Sequence, residues 1–290
     1  MRMTRSDRIF TVLNYLLMLI VILCSIYPVW YCIVLSVSNL NTVSVYEISF
    51  WPIEFTTKNY EQVFKDTQLL NSIKISVART VFGAGFHVLC CAMAAYALSR
   101  REMIFNKFFT SMLLVTMFFG GGMIPAYLNI RSLGLYNTLW ALIMPGAISV
   151  YNCIICRTAI EGVPESLKES AYIDGANDII IVFRIILPLI MPTIAVLLLY
   201  YGVGHWNAWF NASIYLQDNE KLPIQNVMRS ILIANSNILN AAAAENDQVN
   251  EFAESIKYAT IILTTVPVLC IYPFLQKYFV KGVMVGAVKG

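Results

Sequence analysis

Residues 169–188 read ESAYIDGANDIIIVFRIILP, a short polar segment with its own order of small residues, set between two long apolar runs. The runs around it settle the fold class. Mean hydropathy is +0.67, hydrophobic residues make up 58% of the chain and charged residues only 13%. That balance argues against an ordinary soluble domain. One helical crossing of a bilayer core takes about 20 mostly apolar residues. Six runs approach or exceed that length: Ile9–Ser36, Ile73–Ser99, Phe105–Leu128, Leu139–Ile160, Ile179–Val203 and Ile256–Phe279. The expectation is an all-α integral membrane protein in which residues 1–290 form a single domain of six transmembrane helices.

Arg2, Arg5 and Arg8 precede the first run. Its apolar stretch is far longer than the roughly 7–15 residues of a cleaved signal, so an uncleaved first crossing is expected. All seven Cys lie inside the runs and read as small apolar fillers. With no second pair and no nearby His, Cys153-Ile-Ile-Cys156 does not read as a metal or redox site. Placing the N-terminus in the cytoplasm puts twelve of the 20 Lys and Arg inside and six outside, with Lys74 and Arg79 in the second run. Insertion favours that cationic excess on the inner side. Both termini then lie in the cytoplasm, as do a loop at residues 161–178 and a tail at residues 280–290. Residues 204–255 form the largest extracytoplasmic loop, in which Leu222–Leu239 has the pattern of an amphipathic or packed helix.

The 161–178 loop has the make-up of a small docking helix. Pro164 suits a helix start. Glu165 and Glu169 sit near that start, where acids complement the dipole. Leu167, Ala171 and Ile173 offer a small apolar surface, and Gly175 permits a sharp exit. Nothing in the chain supplies energy on its own. There is no G-x-x-x-x-G-K-[ST] phosphate cradle, and none of the six runs carries an Asp or Glu in its apolar body to serve as an ion relay. No catalytic residue and no metal-ligand set is read.

The spacing Glu169, Ala171, Gly175, Ile185, Leu187-Pro188 resembles the loop by which permease subunits of ATP-binding-cassette importers engage their ATPases. That pattern is Glu-Ala-Ala, three residues, Gly, nine residues, Ile, one residue, Leu-Pro; only Ser170, in place of the second position's Ala, departs from it. The tail from Tyr278 to Gly290 is similar to that of sugar-importer permeases related to the second permease subunit of the maltose system. So are Asn71-Ser72, the stretch Ala94–Arg100 and Pro125. The likeness runs through nearly the whole chain, and lies nearest the branch handling complex oligosaccharides or polysaccharide fragments. It implies a type I importer permease of the bacterial cell membrane, working by alternating access. It also implies a heterodimer with a second permease subunit, two nucleotide-binding ATPase subunits that hold ATP and Mg, and an extracytoplasmic solute-binding protein. No nucleic acid is expected as a partner. The coupling residues expected from the resemblance and the make-up of the loop together are Glu165, Leu167, Glu169, Ser170, Ala171, Ile173, Asp174, Gly175, Ile185, Leu187 and Pro188, with Lys281, Gly286 and Lys289 as tail contacts.

Sugars present apolar ring faces and many hydroxyls, which aromatic platforms and amide groups can meet. Candidates for a substrate path are His87, Tyr127, Tyr151, Asn152, Trp206, Asn207, Trp209 and Asn211. Helix packing or an interfacial aromatic belt is the competing reading for each. Arg79 is read either as a cation of the path or as a side chain snorkelling to outer headgroups. Two alternatives to sugar import stand beside it: the same machinery carrying a non-sugar solute, or a secondary carrier acting alone.

Overall fold

The fold is that of a computed structural model, which describes residues 5–40, 43, 45–100, 102–241, 256–271 and 273. Its elements are helical. In chain order they are α1 (Arg5–Ser36), α2 (Lys58–Lys65), α3 (Thr67–Ser99), α4 (Asn106–Phe118), α5 (Met123–Ser132), α6 (Trp140–Ile143) and α7 (Val150–Glu161). There follow α8 (Glu165–Ile173), α9 (Asp178–Ile181), α10 (Leu187–Leu189), α11 (Met191–Asn207), α12 (Phe210–Tyr215) and α13 (Ile224–Ala241). The last, α14, is Ile256–Ile271.

Among the described residues, two helices are long and apolar enough to cross a membrane, α1 and α3. Two bent pairs raise that to four if each counts as one crossing: α4 with α5, at 117°, and Asp178–Leu189 with α11, at 88°. Six continuous spans are therefore not found among the described residues. The reasons are local. The third run contains Gly120-Gly121-Gly122, and Gly122 adopts φ +84°, outside the helical region. The fourth run is cut by Pro145-Gly146, with Gly146 at φ +75°, so only α6 and the 12-residue α7 are helical. The fifth run breaks at Ile190, between Pro188 and Pro192, which deny the helix two backbone donors. Just before Pro188, residues Val182–Ile186 widen into a π turn, with the Leu187 N–H reaching the Val182 carbonyl. Such a turn relieves crowding between a proline ring and the carbonyl four residues back. The described part of the sixth run is the 16 residues of α14 together with residue 273. The segment expected as a loop from Gly204 is helical in α11, α12 and α13; residues 242–255 lie outside the described residues.

The chain divides into two compact units, Met1–Leu69 with Met228–Val266, and Leu70–Val227 with Pro267–Gly290. In the first, Val34, Leu35, Leu40 and Ile48 form a small core backed by Tyr31 and Tyr258. Asn59 fixes the exit of α1, donating to the Ser36 and Ser38 carbonyls at 3.0 Å each. The rest of α1 is bare, with Ile9 through Leu23 at least half exposed at nearly every large apolar position. The second unit has the larger core. Cys91, Ala92 and Ala95 of α3 meet Cys153, Cys156 and Ile160 of α7, Ile181 and Val182 below them, and Ile194 and Leu197 of α11. The three buried cysteines are free thiols, serving as small apolar residues that let helices approach closely.

Candidate functional site

The segment between α7 and α9 is built as a capped helix standing on the second unit's core. Val163 is buried ahead of α8 and Ala171 is buried within it, both joined to Ile181, Val182 and Ile186. Lys168 is also inward, only 4% exposed, its Nζ held 2.9 Å from Glu165 Oε2. The helix ends in a Schellman motif: Gly175 N–H donates to the Tyr172 carbonyl at 3.0 Å and Ala176 N–H to the Ala171 carbonyl at 2.9 Å. Gly175 takes φ +82°, the left-handed geometry that closure demands. Asn177 then caps α9, its Oδ1 accepting from Ile180 N–H at 2.9 Å.

This orientation sorts the residues flagged in the sequence. Glu165, Leu167, Glu169, Ser170, Ile173, Asp174 and Gly175 are exposed, and Ile173 is 87% so. Ala171 is not part of that outer surface: it is a foundation residue, turned inward because it lies on the face opposite the acids. Ile185 and Leu187 are half-buried and join the core, while Pro188 is exposed at the break before Ile190. They set the geometry of the returning helix rather than the outer face of α8. The tail residues Lys281, Gly286 and Lys289 lie outside the described residues.

Pattern reading missed four residues that fix this segment. Tyr172 and Tyr96 both donate a hydroxyl hydrogen bond to Asp178 Oδ1, Tyr96 at 2.7 Å. Arg100 lies over both rings, Cζ 5.2 Å from the Tyr172 centroid and 5.9 Å from that of Tyr96. The spacings involved, 6, 76 and 82 residues, match no helical or strand period, so only the folded chain brings them together.

The residues flagged for a solute path are more dispersed. Arg79 does not snorkel. It is 2% exposed, and its Nη1 donates to the Ala208 carbonyl at 2.7 Å. That carbonyl closes α11, so the guanidinium sits at the negative end of a helix. His87 is buried against the Ile143 carbonyl, Nε2 to O 2.6 Å, with its ring 4.6 Å from His205 and 5.0 Å from Tyr201. Gly83 makes room for this pair: a Cβ there would lie 2.6 Å from His205 Nε2. Tyr127 stacks on Tyr215 and meets Tyr136 edge-on, backing a buried cluster that includes Ile130 and Leu142. Asn152 and Trp206 are buried, and Trp209 is half-buried, its carbonyl accepting from Asn226 Nδ2 at 3.0 Å. Trp206 lines an apolar cleft of about 310 Å³ with Thr80, Ala84 and Leu198. Only Tyr151, Asn207 and Asn211 of the set remain exposed.

Known proteins share both the sequence and the shape. Residues 3–285 match the family described as binding-protein-dependent transport system inner membrane component. The polygalacturonan/rhamnogalacturonan transport system permease protein YtcP of Bacillus subtilis (strain 168) is 38% identical over 285 residues, 98% of this chain and 100% of that one. Protein LplC of the same organism is 37% identical over 291 residues, covering 100% of this chain and 98% of its own. Among solved structures, a chain of a bacterial ABC transporter involved in the import of the acidic polysaccharide alginate superposes with a TM-score of 0.86. It is 30% identical, with 96% of this chain and 99% of that one covered. With an α-helical membrane fold, a capped helix between α7 and α9, and a match through almost its whole length, the chain belongs to the binding-protein-dependent transport system inner membrane components of ABC importers.

Proposed function

We propose that this chain is one of two permease subunits of an ATP-driven importer for an oligosaccharide or polysaccharide fragment, with uronate-containing chains as the first class to test. The observation that carries the reading is the full-length identity to a permease named for polygalacturonan and rhamnogalacturonan. The fold shared with a permease from an alginate importer supports it. In this reading residues 161–178 face the cytoplasm and the exposed side of α8 docks on an ATPase subunit. ATP and Mg are held by that partner, a second permease completes the pathway, and a binding protein delivers solute from outside.

The geometry of α8 suits that role. Its outer face carries Glu165 and Glu169, two acids in and just after the first turn, beside exposed Ile173, while Leu167 is exposed at the edge nearer Ala171. Its inner face is anchored by Ala171 and Lys168. A load on the outside is thus passed to the core of the second unit.

The test is uptake by proteoliposomes holding the complete complex. Binding protein loaded with oligogalacturonate should stimulate ATP hydrolysis and drive accumulation, and hydrolysis-deficient ATPase should abolish both. Transport that persists without hydrolysis would remove the importer reading. Stimulation by a loaded neutral oligosaccharide alone would keep the machinery and reject the uronate class.

A further inference from the structure

The α7–α9 connection is tied to a third element, and side chains alone make the tie. Tyr172, the last but one residue of α8, and Asp178, the first of α9, flank the Gly175 turn and are hydrogen-bonded to one another across it. Tyr96, near the end of α3, donates to the same carboxylate oxygen at 2.7 Å and lies 3.3 Å from the Tyr172 hydroxyl. Arg100, just beyond α3, donates to both phenol oxygens, that of Tyr96 at 3.3 Å. Its Nη1 is 3.8 Å from Asp178 Oδ1. All four residues belong to the same compact unit.

We propose that Tyr96, Arg100, Tyr172 and Asp178 form a clasp through which displacement of α8 is delivered to α3, so that the docking helix moves three elements and not two. The inference rests on the reading of residues 161–178 as the ATPase-docking loop. Backbone continuity already links α8 to α7 and α9, but the second link passes through Gly175, the most permissive residue in the segment. The clasp bridges that turn. Hydrogen bonds to an ionised carboxylate are stronger than neutral ones, and a planar guanidinium stacked on aromatic rings keeps its direction better than an ammonium would. Asp178 accepts from two phenols and faces one cation, so a single carboxylate ties both ends of the turn to α3. These are positioning residues, which act through α8 and do not touch solute.

The experiment uses the complete complex in proteoliposomes and compares Asp178→Asn, Arg100→Gln and the exchanged pair Arg100→Asp with Asp178→Arg. Co-purification of the ATPase subunits reports assembly, and solute taken up per ATP hydrolysed reports transmission. The single variants should assemble and hydrolyse ATP, yet lose about tenfold in uptake per ATP, the factor that about 1.4 kcal/mol of lost interaction represents. The exchanged pair should recover most of that loss. Wild-type ratios in both single variants, with Glu169→Lys still abolishing stimulation, would overturn the clasp and leave the docking loop standing. Normal behaviour in all of them, Glu169→Lys included, would remove the docking reading and the clasp with it. A loss that the exchanged pair fails to recover in an assembled complex also rejects the clasp. Spin labels on Ala97→Cys and Ser166→Cys, both exposed positions, give an independent measure in chains with the clasp intact. Their separation should stay constant between nucleotide-free and ATP-trapped complexes, and a shift of several ångströms would show that α8 slides past α3.

Discussion

At Gly175 an added Cβ would meet nothing within 4 Å, yet the backbone stands at φ +82°. Any penalty for substitution there is therefore conformational, not steric. Left-handed geometry costs ordinary residues roughly 1–2 kcal/mol, and β-branched residues resist it most, while Asn tolerates it. Gly175→Val should cut binding-protein-stimulated ATP hydrolysis well below that of Gly175→Asn, measured at equal assembly; equal loss in the two variants would deny the turn its role. Gly83 presents the opposite case. Its helix geometry is ordinary, but a methyl group would overlap the His205 ring. Gly83→Ala should lower the thermal midpoint of the purified complex by an amount equivalent to about 1–3 kcal/mol, the usual range for overpacking, and His205→Ala should relieve it in the double variant. Asp218 offers a pH prediction. Hydrogen bonds from Lys221 and then Asn137 hold its carboxyl below the usual carboxylate range. Its contribution is complete above the ordinary value of about 3.9 and fades only as pH falls through the lowered one. Hydrogen exchange at the Gln217 and Asp218 amides, which Asn137 Oδ1 accepts from, should show equal protection factors at pH 5 and pH 8.

At the scale of one element, α8 shows what a sequence discloses and what it withholds. Its length, its N-terminal acids and its glycine exit follow from residue types at fixed separations, so they could be read directly. The direction in which each side chain faces was harder. Ala171 and Ile173 look alike as apolar positions, yet one is 7% exposed and the other 87%, because the core lies on one side of the helix only. Lys168 reads as a surface cation and is buried against Glu165. Covering Ile173 on docking would contribute about 1.5–3 kcal/mol, so Ile173→Ala should weaken ATPase association by roughly tenfold or more while leaving membrane insertion intact. Glu169→Lys should do more harm to stimulated hydrolysis than Glu169→Gln, since it reverses the charge where the helix dipole favours an acid.

Across the whole molecule, hydropathy located the apolar runs but could not show their breaks. A window average sees Gly120–Gly122 or Pro188 with Pro192 as small dips. The backbone responds to them with bends of 117° and 88°, because a missing donor or a positive φ acts at one residue. The same limit hid the setting of Arg79, whose charge suited either a solute path or an outer headgroup and whose partner is the carbonyl of Ala208, 129 positions away. Orientation in the bilayer is an expectation from the cation count and can be measured. A cysteine at Ser170 should react with an impermeant thiol reagent only after permeabilisation, and one at Asn219 should react from outside; the reverse pattern would invert the whole topology, docking helix included.

The tie between α3 and α8 also has a history within each newly made chain. Arg100 precedes Tyr172 by 72 positions. At the usual pace of synthesis, about 5–20 residues per second, Arg100 waits roughly 4–14 s for its partner to emerge. During that interval α3 has been made, and Arg100 has only Tyr96 and Glu102 within reach. A chain that ends before Tyr172 therefore holds Arg100 only through neighbours in its own sequence, and the tie to α8 and α9 is a late event in the making of the fold.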